Sequence, residues 1–184
     1  MSNNRGFEKS CNDCEGCEDC KSLSRFKVSS CAQVPSVQDG PEPPVFTPVY
    51  GSLYNTNGVV AVSGANVDFD TVGPSSGVTL DTVNDSITVN SSGVYTISFS
   101  TEINANDLQE TFNSVFFRLS INGTPDPTKE TSFQTALSIV NEVNTISRTD
   151  QLKLNQGDVI RVFIFLENGN PTYFNAALVV TKVA

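Results

Sequence analysis

The clearest signal in the chain is an alternation of period two. In Gly93–Ile103, Tyr95, Ile97, Phe99 and Ile103 fall on one side of an extended backbone, and Thr96, Ser98, Ser100 and Glu102 on the other. Successive side chains of a strand point to opposite faces, so this stretch reads as a strand with one face in a core. The alternation recurs. Val67 and Phe69 interleave with Asn66, Asp68 and Asp70; Val78 and Leu80 follow, then Ile87 and Val89. Val115, Phe117, Leu119 and Ile121 share a face and end at Asn122-Gly123, a tight-turn dipeptide. Phe133, Thr135, Leu137 and Ile139 make another strand, with Val143–Ser147 returning. Short apolar runs at Val49–Tyr54 and Gly58–Val62 come before these, and Phe174–Val183 comes last. Leu152–Leu154 and Val159–Leu166 flank Asn155-Gln-Gly-Asp158, which reads as a hairpin.

About ten strands at turn spacings of roughly 8–12 residues predict an all-β, antiparallel jelly-roll sandwich. The one helical candidate, Asn106–Phe112, is short and reads as a loop. Two late strands depart from the alternation. Val159–Leu166 presents Ile160, Val162, Ile164 and Leu166 on one face, but Phe163 and Phe165 on the other; Phe174–Val183 is also largely apolar on both faces. A sandwich strand buries one face, so a second apolar face predicts a second cover, another subunit ahead of a loop. Phe163, Phe165, Phe174 and Val179 are the residues expected in that subunit interface.

Composition splits the chain near residue 44. All five cysteines precede it, in a Cys-rich extended tail over residues 1–38. Residues 39–44, Asp-Gly-Pro-Glu-Pro-Pro, read as a stiff linker, because each proline fixes its own φ and restrains the residue before it. The head spans residues 45–184. With 11 Lys+Arg against 20 Asp+Glu, the net charge of -9 argues against nucleic acid or anionic lipid as a partner. The apolar runs fall far short of the roughly 20 residues of a membrane-spanning helix, so no membrane partner is expected. Met1-Ser-Asn-Asn-Arg5 leads into no apolar segment, so no Sec signal peptide is expected either.

Candidate chemistry concentrates in the tail. Cys11, Cys14, Cys17 and Cys20 recur every third residue, with Cys31 beyond. In a polyproline-like chain that spacing lines four sulfurs along one side. Cross-linking between chains fits it and the odd count; a zinc or iron–sulfur site is the alternative, although acidic residues crowd the cluster. No other cofactor is expected. Gly73-Pro-Ser-Ser-Gly77 matches a hydrolase pattern on paper, but the chain has no histidine to take a proton from Ser75, so it reads as a turn and no enzyme is expected. Asp68, Asp70 and Asp81 read as solvated strand edges before they read as calcium ligands. Ser24–Ser30 is strand-like, with Phe26 and Val28 on one face against Arg25 and Lys27. An isolated strand seeks a sheet edge, so Phe26, Val28 and Val34 are expected to anchor this connector in a neighbouring head.

Pro48-Val-Tyr-Gly51, Gly93-Val-Tyr-Thr-Ile97, Ile121-Asn-Gly-Thr124 and the closing Val179-Val-Thr-Lys-Val-Ala184 together resemble the C-terminal domain of the BclA family, collagen-like glycoproteins of the spore exosporium. Leu152–Asp158 is similar to its counterpart in the wider tumour necrosis factor and complement globular-head superfamily. The resemblance covers residues 45–184 and implies a ten-stranded jelly roll in a tight homotrimer. It departs in one respect: there is no Gly-X-Y stalk, and the cysteine tail stands in its place. It therefore implies a structural subunit of a spore-surface fibre or coat, with heads linked by the tail and released when the mother cell lyses. Partners would be copies of the chain itself and other spore-surface proteins. The rival expectation is a trimeric binding head that recognises a sugar or a receptor.

Overall fold

The computed structural model describes residues 47–105, 112–136 and 142–184. Two units divide the chain, Met1–Pro44 and Val45–Ala184, and all described residues belong to the second. Cys11, Cys14, Cys17, Cys20, Cys31, Phe26, Val28 and Val34 lie outside the described residues, as do the linker and most of Asn106–Phe112.

Eleven strands run through the described residues, with no helix among them. They are β1 (Tyr50–Asn55), β2 (Val59–Val60), β3 (Thr71–Val72), β4 (Val78–Asp81), β5 (Ser86–Val89), β6 (Gly93–Ala105), β7 (Phe112–Ile121), β8 (Thr124–Ala136), β9 (Glu142–Leu154), β10 (Val159–Asn168) and β11 (Thr172–Lys182). The first sheet has the order β3-β1-β11-β6-β9, with β2 also on β11; the second has β4-β5-β10-β7-β8. Every pairing is antiparallel. This is the expected jelly-roll sandwich.

The inward positions of both sheets make one core. Tyr95, Ile97, Phe99, Ile103 and Ala105 of β6 are buried, and Thr101 joins them by donating its hydroxyl to Phe174 O at 3.0 Å. From the opposite sheet Val115, Phe117, Ile160, Val162 and Ile164 meet them. Phe117 is central, with its ring 5.3 Å from Phe99 and edge-on to Tyr173 at 6.1 Å. Such pairs add to the burial of their area because ring edges carry positive and faces negative partial charge.

The structure corrects four expectations. The Asn155–Asp158 turn does not close a hairpin, because β9 pairs with β6 in the first sheet and β10 with β5 and β7 in the second. The turn carries the chain between sheets, with Gly157 N–H bonded to Val89 O at 2.8 Å. Leu152–Leu154 is not a separate strand but the end of the 13-residue β9. Val67 and Phe69 are fully buried but sit outside any strand. The backbone N–H groups there go to different partners: Val67 to Val162 O, Asp68 to the Tyr173 hydroxyl, Phe69 to Asp85 Oδ1 and Asp70 to Tyr54 O. Period two thus marks burial here with a single antiparallel bridge, Asn66 to Phe163, in place of an extended ladder. Finally, Leu166 leaves the buried face, because the register of β10 against β7 shifts between Ile164 and Leu166. An extra residue reverses the side-chain direction beyond it, and Leu166 is exposed.

Candidate functional site

Two surfaces are built differently from the rest, one on each sheet. On the outside of the first sheet, registers align three rows across four strands. They are Tyr50–Thr181–Thr96–Gln151, Ser52–Val179–Ser98–Thr149 and Tyr54–Ala177–Ser100–Ser147. These twelve positions carry no charge, in a chain with 31 charged residues. The rows are knit across strands, as by the 2.9 Å hydroxyl pair of Ser98 and Thr149. At one end, Tyr50, Ser52, Tyr54, Pro74, Val179 and Thr181 line an open groove of about 350 Å³. The Gly73–Gly77 turn is bonded to β1 there, Gly73 N–H to Ser52 O and Tyr50 with Ser76 in both directions, which gives that pattern a structural use.

On the outside of the second sheet, β10 presents Arg161, Phe163 and Phe165. The Arg118 guanidinium lies 3.3 Å from the centroid of the Phe165 ring, and its Nε donates to Glu130 Oε2 at 2.7 Å. That stack covers an apolar ring with a cation of the same chain. Nearer the Asn122–Gly123 turn, Arg161 and Phe163 line a pocket of about 330 Å³ with Asn66, Val83, Asn84, Asp85, Ser120 and Gly123. Asp85 has a φ of 51° and accepts Phe69 N–H at 2.8 Å. Burial pushes its carboxyl up, the Phe69 hydrogen bond and Arg161 oppose this, and the charges of Asp68 and Asp81 add to it.

The four expected interface residues are therefore not brought together. Phe163 and Phe165 lie on the second sheet, while Val179 and Phe174, both half-buried, lie on β11 of the first. Asp68, Asp70 and Asp81 are also apart in their bonding. Asp68 takes Asn55 Nδ2, Asp70 takes Asn57 Nδ2, and Asp81 caps the backbone N–H groups of Val83 and Asn84. Among the described residues no three acidic, cysteine or histidine side chains form a group that would hold a metal. Sequence reasoning missed Tyr50, Tyr54, Arg118 and Asp85. The tyrosines had a signal, being aromatic at the parity of polar Ser52. Asp85 and Arg118 had none, since their surroundings come from distant strands.

No protein-family model and no curated protein matches the chain. Among solved structures it is similar to the Eiger tumour necrosis factor of S. frugiperda, with a TM-score of 0.61 and 13% identity over 74% of this chain and 93% of that one. It is also similar to the globular domain of a zebrafish complement 1qA protein, with a TM-score of 0.53 and 14% identity over 75% and 98%. The chain has the tumour necrosis factor and complement globular-head fold.

Proposed function

We propose that this chain is a non-catalytic structural subunit that assembles with copies of itself. Heads join as homotrimers through the outer face of the first sheet, and residues 1–38 link each trimer to the next, giving a fibre or coat on a spore surface. The observation that carries the reading is the block of three uncharged rows on β1, β11, β6 and β9. A solvated face gains solubility from charge, whereas the middle of a subunit contact is depleted of it. Val179 stands in the middle row, with Phe174 beyond the block on the same strand. The tail contributes what a head cannot. Phe26, Val28 and Val34 offer an apolar strand to a neighbour's sheet edge, and a head-to-tail contact that does not close on itself extends without limit. Cys11, Cys14, Cys17, Cys20 and Cys31 then staple chains covalently.

Negative-stain imaging tests the reading. The full chain should form fibres, and the chain lacking residues 1–38 should remain as soluble trimers. Fibres forming normally from the shortened chain would refute the linking role. Boiled samples without reductant should give ladders that a thiol collapses; monomer bands with stoichiometric zinc or iron would replace cross-linking by a metal site.

A further inference from the structure

The pocket on the second sheet has features that the fold does not require. Its side chains are braced from behind and left open in front. Arg161 Nε donates to Asn84 O at 3.0 Å, and Asp85 Oδ1 accepts Phe69 N–H. Among the described residues, the Nη groups of Arg161, Oδ2 of Asp85 and the side-chain amide of Asn66 have no hydrogen-bond partner. Phe163 supplies an aromatic wall beside them, and Val83, 88% exposed, stands at the rim.

Asp85 is the informative residue. Its φ of 51° is a left-handed conformation that asparagine adopts as readily as aspartate. An amide oxygen would accept Phe69 N–H equally well. Asparagine would meet both structural duties, yet the position holds a carboxylate in a place that disfavours the charge. A carboxylate oxygen facing open space can accept hydrogen bonds from two hydroxyls, which an amide does less strongly.

We propose that this pocket binds a neutral pyranose sugar, with the ring against Phe163 and the hydroxyls on Asp85, Asn66 and Arg161. A pyranose has an apolar face of C–H groups and a rim of hydroxyls. It therefore matches an aromatic wall ringed by one acceptor, one cation and one amide. The volume lies near the lower end of small-ligand sites, about 300–1,000 Å³, which suits one ring rather than a chain. Asp85 feels the charges of Asp68 and Asp81 as well as that of Arg161, so the acidic balance there would repel an acidic sugar. The site is on the sheet opposite the uncharged rows, so a trimer formed through those rows leaves it open.

Saturation-transfer NMR on the full chain tests it, with the methyl glycosides of glucose, galactose, mannose and glucuronic acid, each at about 10 mM. At least one neutral glycoside should receive transfer, strongest at the C–H protons of one ring face. Phe163→Leu and Asp85→Asn should each weaken that binding about tenfold or more, with the circular dichroism spectrum unchanged. Should Phe163→Leu misfold, Asp85→Asn carries the test alone, because it keeps the turn and the Phe69 bond. No transfer to any of the three neutral glycosides, tighter binding of the glucuronide, or an affinity that Asp85→Asn leaves unmoved would each overturn the proposal.

Discussion

A hydroxyl near the end of the chain holds an amide near its beginning. Asp68 N–H donates to Tyr173 Oη at 2.9 Å across 105 residues of sequence. The Tyr173 ring is buried beside Phe117, and burial pushes its phenol from 10.0 up to about 12. The Asp68 N–H opposes that shift, while the charges of Asp68 and Asp85 add to it. Tyr173→Phe keeps the packing and leaves a part-buried N–H without its acceptor. The expected loss is about 1–3 kcal/mol, read as a lower urea midpoint at neutral pH. Alkali should then erode the difference. The unfolded chain gives up the phenol proton near 10.0, and the folded chain keeps it until about 12. Stability supplied by the neutral phenol is whole below the first value and is lost as pH rises through the second. The phenylalanine variant has no proton to lose, so the gap between the two midpoints should narrow over that window. A gap that stays constant would mean the hydroxyl is not held in its neutral form.

One arginine ties the two edge strands on the same side of the sandwich. Arg148, on β9 of the first sheet, donates through Nη1 to Glu130 O at 2.8 Å and through Nη2 to Thr128 O at 2.9 Å, both on β8 of the second. Asp150 holds the guanidinium through both carboxylate oxygens and raises its pKa, with burial acting the other way. Arg148→Ala should cost about 1–3 kcal/mol in urea denaturation, and Arg148→Lys should recover little. An ammonium has one point of charge and cannot span two carbonyls and a carboxylate in a plane. Full rescue by lysine would reduce the contact to simple charge pairing. This tie was not legible in the sequence, because nothing in Ser147-Arg-Thr-Asp150 announces which strand lies opposite. What was legible is what local spacing determines. The alternation of Tyr95 through Ile103 placed β6 and its buried face, and Asn122-Gly123, with φ values of 52° and 80°, placed the β7–β8 turn. Partner choice is not local, so a sound turn at Asn155–Asp158 reads as a hairpin although it joins two sheets. The first half of β8 was invisible for another reason. Pro125 and Pro127 argue against a central strand, yet β8 lies at an edge, where a missing N–H leaves no ladder bond unmade. The buried Val67 and Phe69 showed the right period for the wrong reason, since each backbone amide there finds its own partner.

The apolar outer positions of β10 and β11, which alone predicted a second subunit, face opposite ways out of the sandwich, so a single flat contact cannot cover both. The two sides have different claims. Phe165 already has the Arg118 guanidinium on its ring, and Phe163 lines a pocket with polar walls. The row of Val179, Ser98 and Thr149 is uncharged and has no such cover, while Ser52 at its end is buried against the Gly73 turn. Four strands at about 4.8 Å and three rows at about 6.8 Å give those rows a footprint of about 400 Å². A standard contact buries about 800 Å² on each partner, so the rows serve as its dry middle and need a rim around them. Phe174, half-buried on the same strand and paired with Glu102 of β6, lies beyond the rows where that rim would fall. A charge at the centre is then the sharpest probe. Val179→Glu puts an unpaired carboxylate into the middle row, where three-fold symmetry repeats it in every contact. A cost of about 3–5 kcal/mol per contact follows if the charge is fully enclosed. Light scattering on the chain lacking residues 1–38 should show a trimer that persists on dilution for the parent and a monomer for Val179→Glu. Phe165→Ser, on the other sheet, should leave the trimer mass unchanged. The reverse result, with Val179→Glu trimeric and Phe165→Ser monomeric, would move the interface to the second sheet. It would also bury the surface beside Arg161 and Phe163 in the assembly.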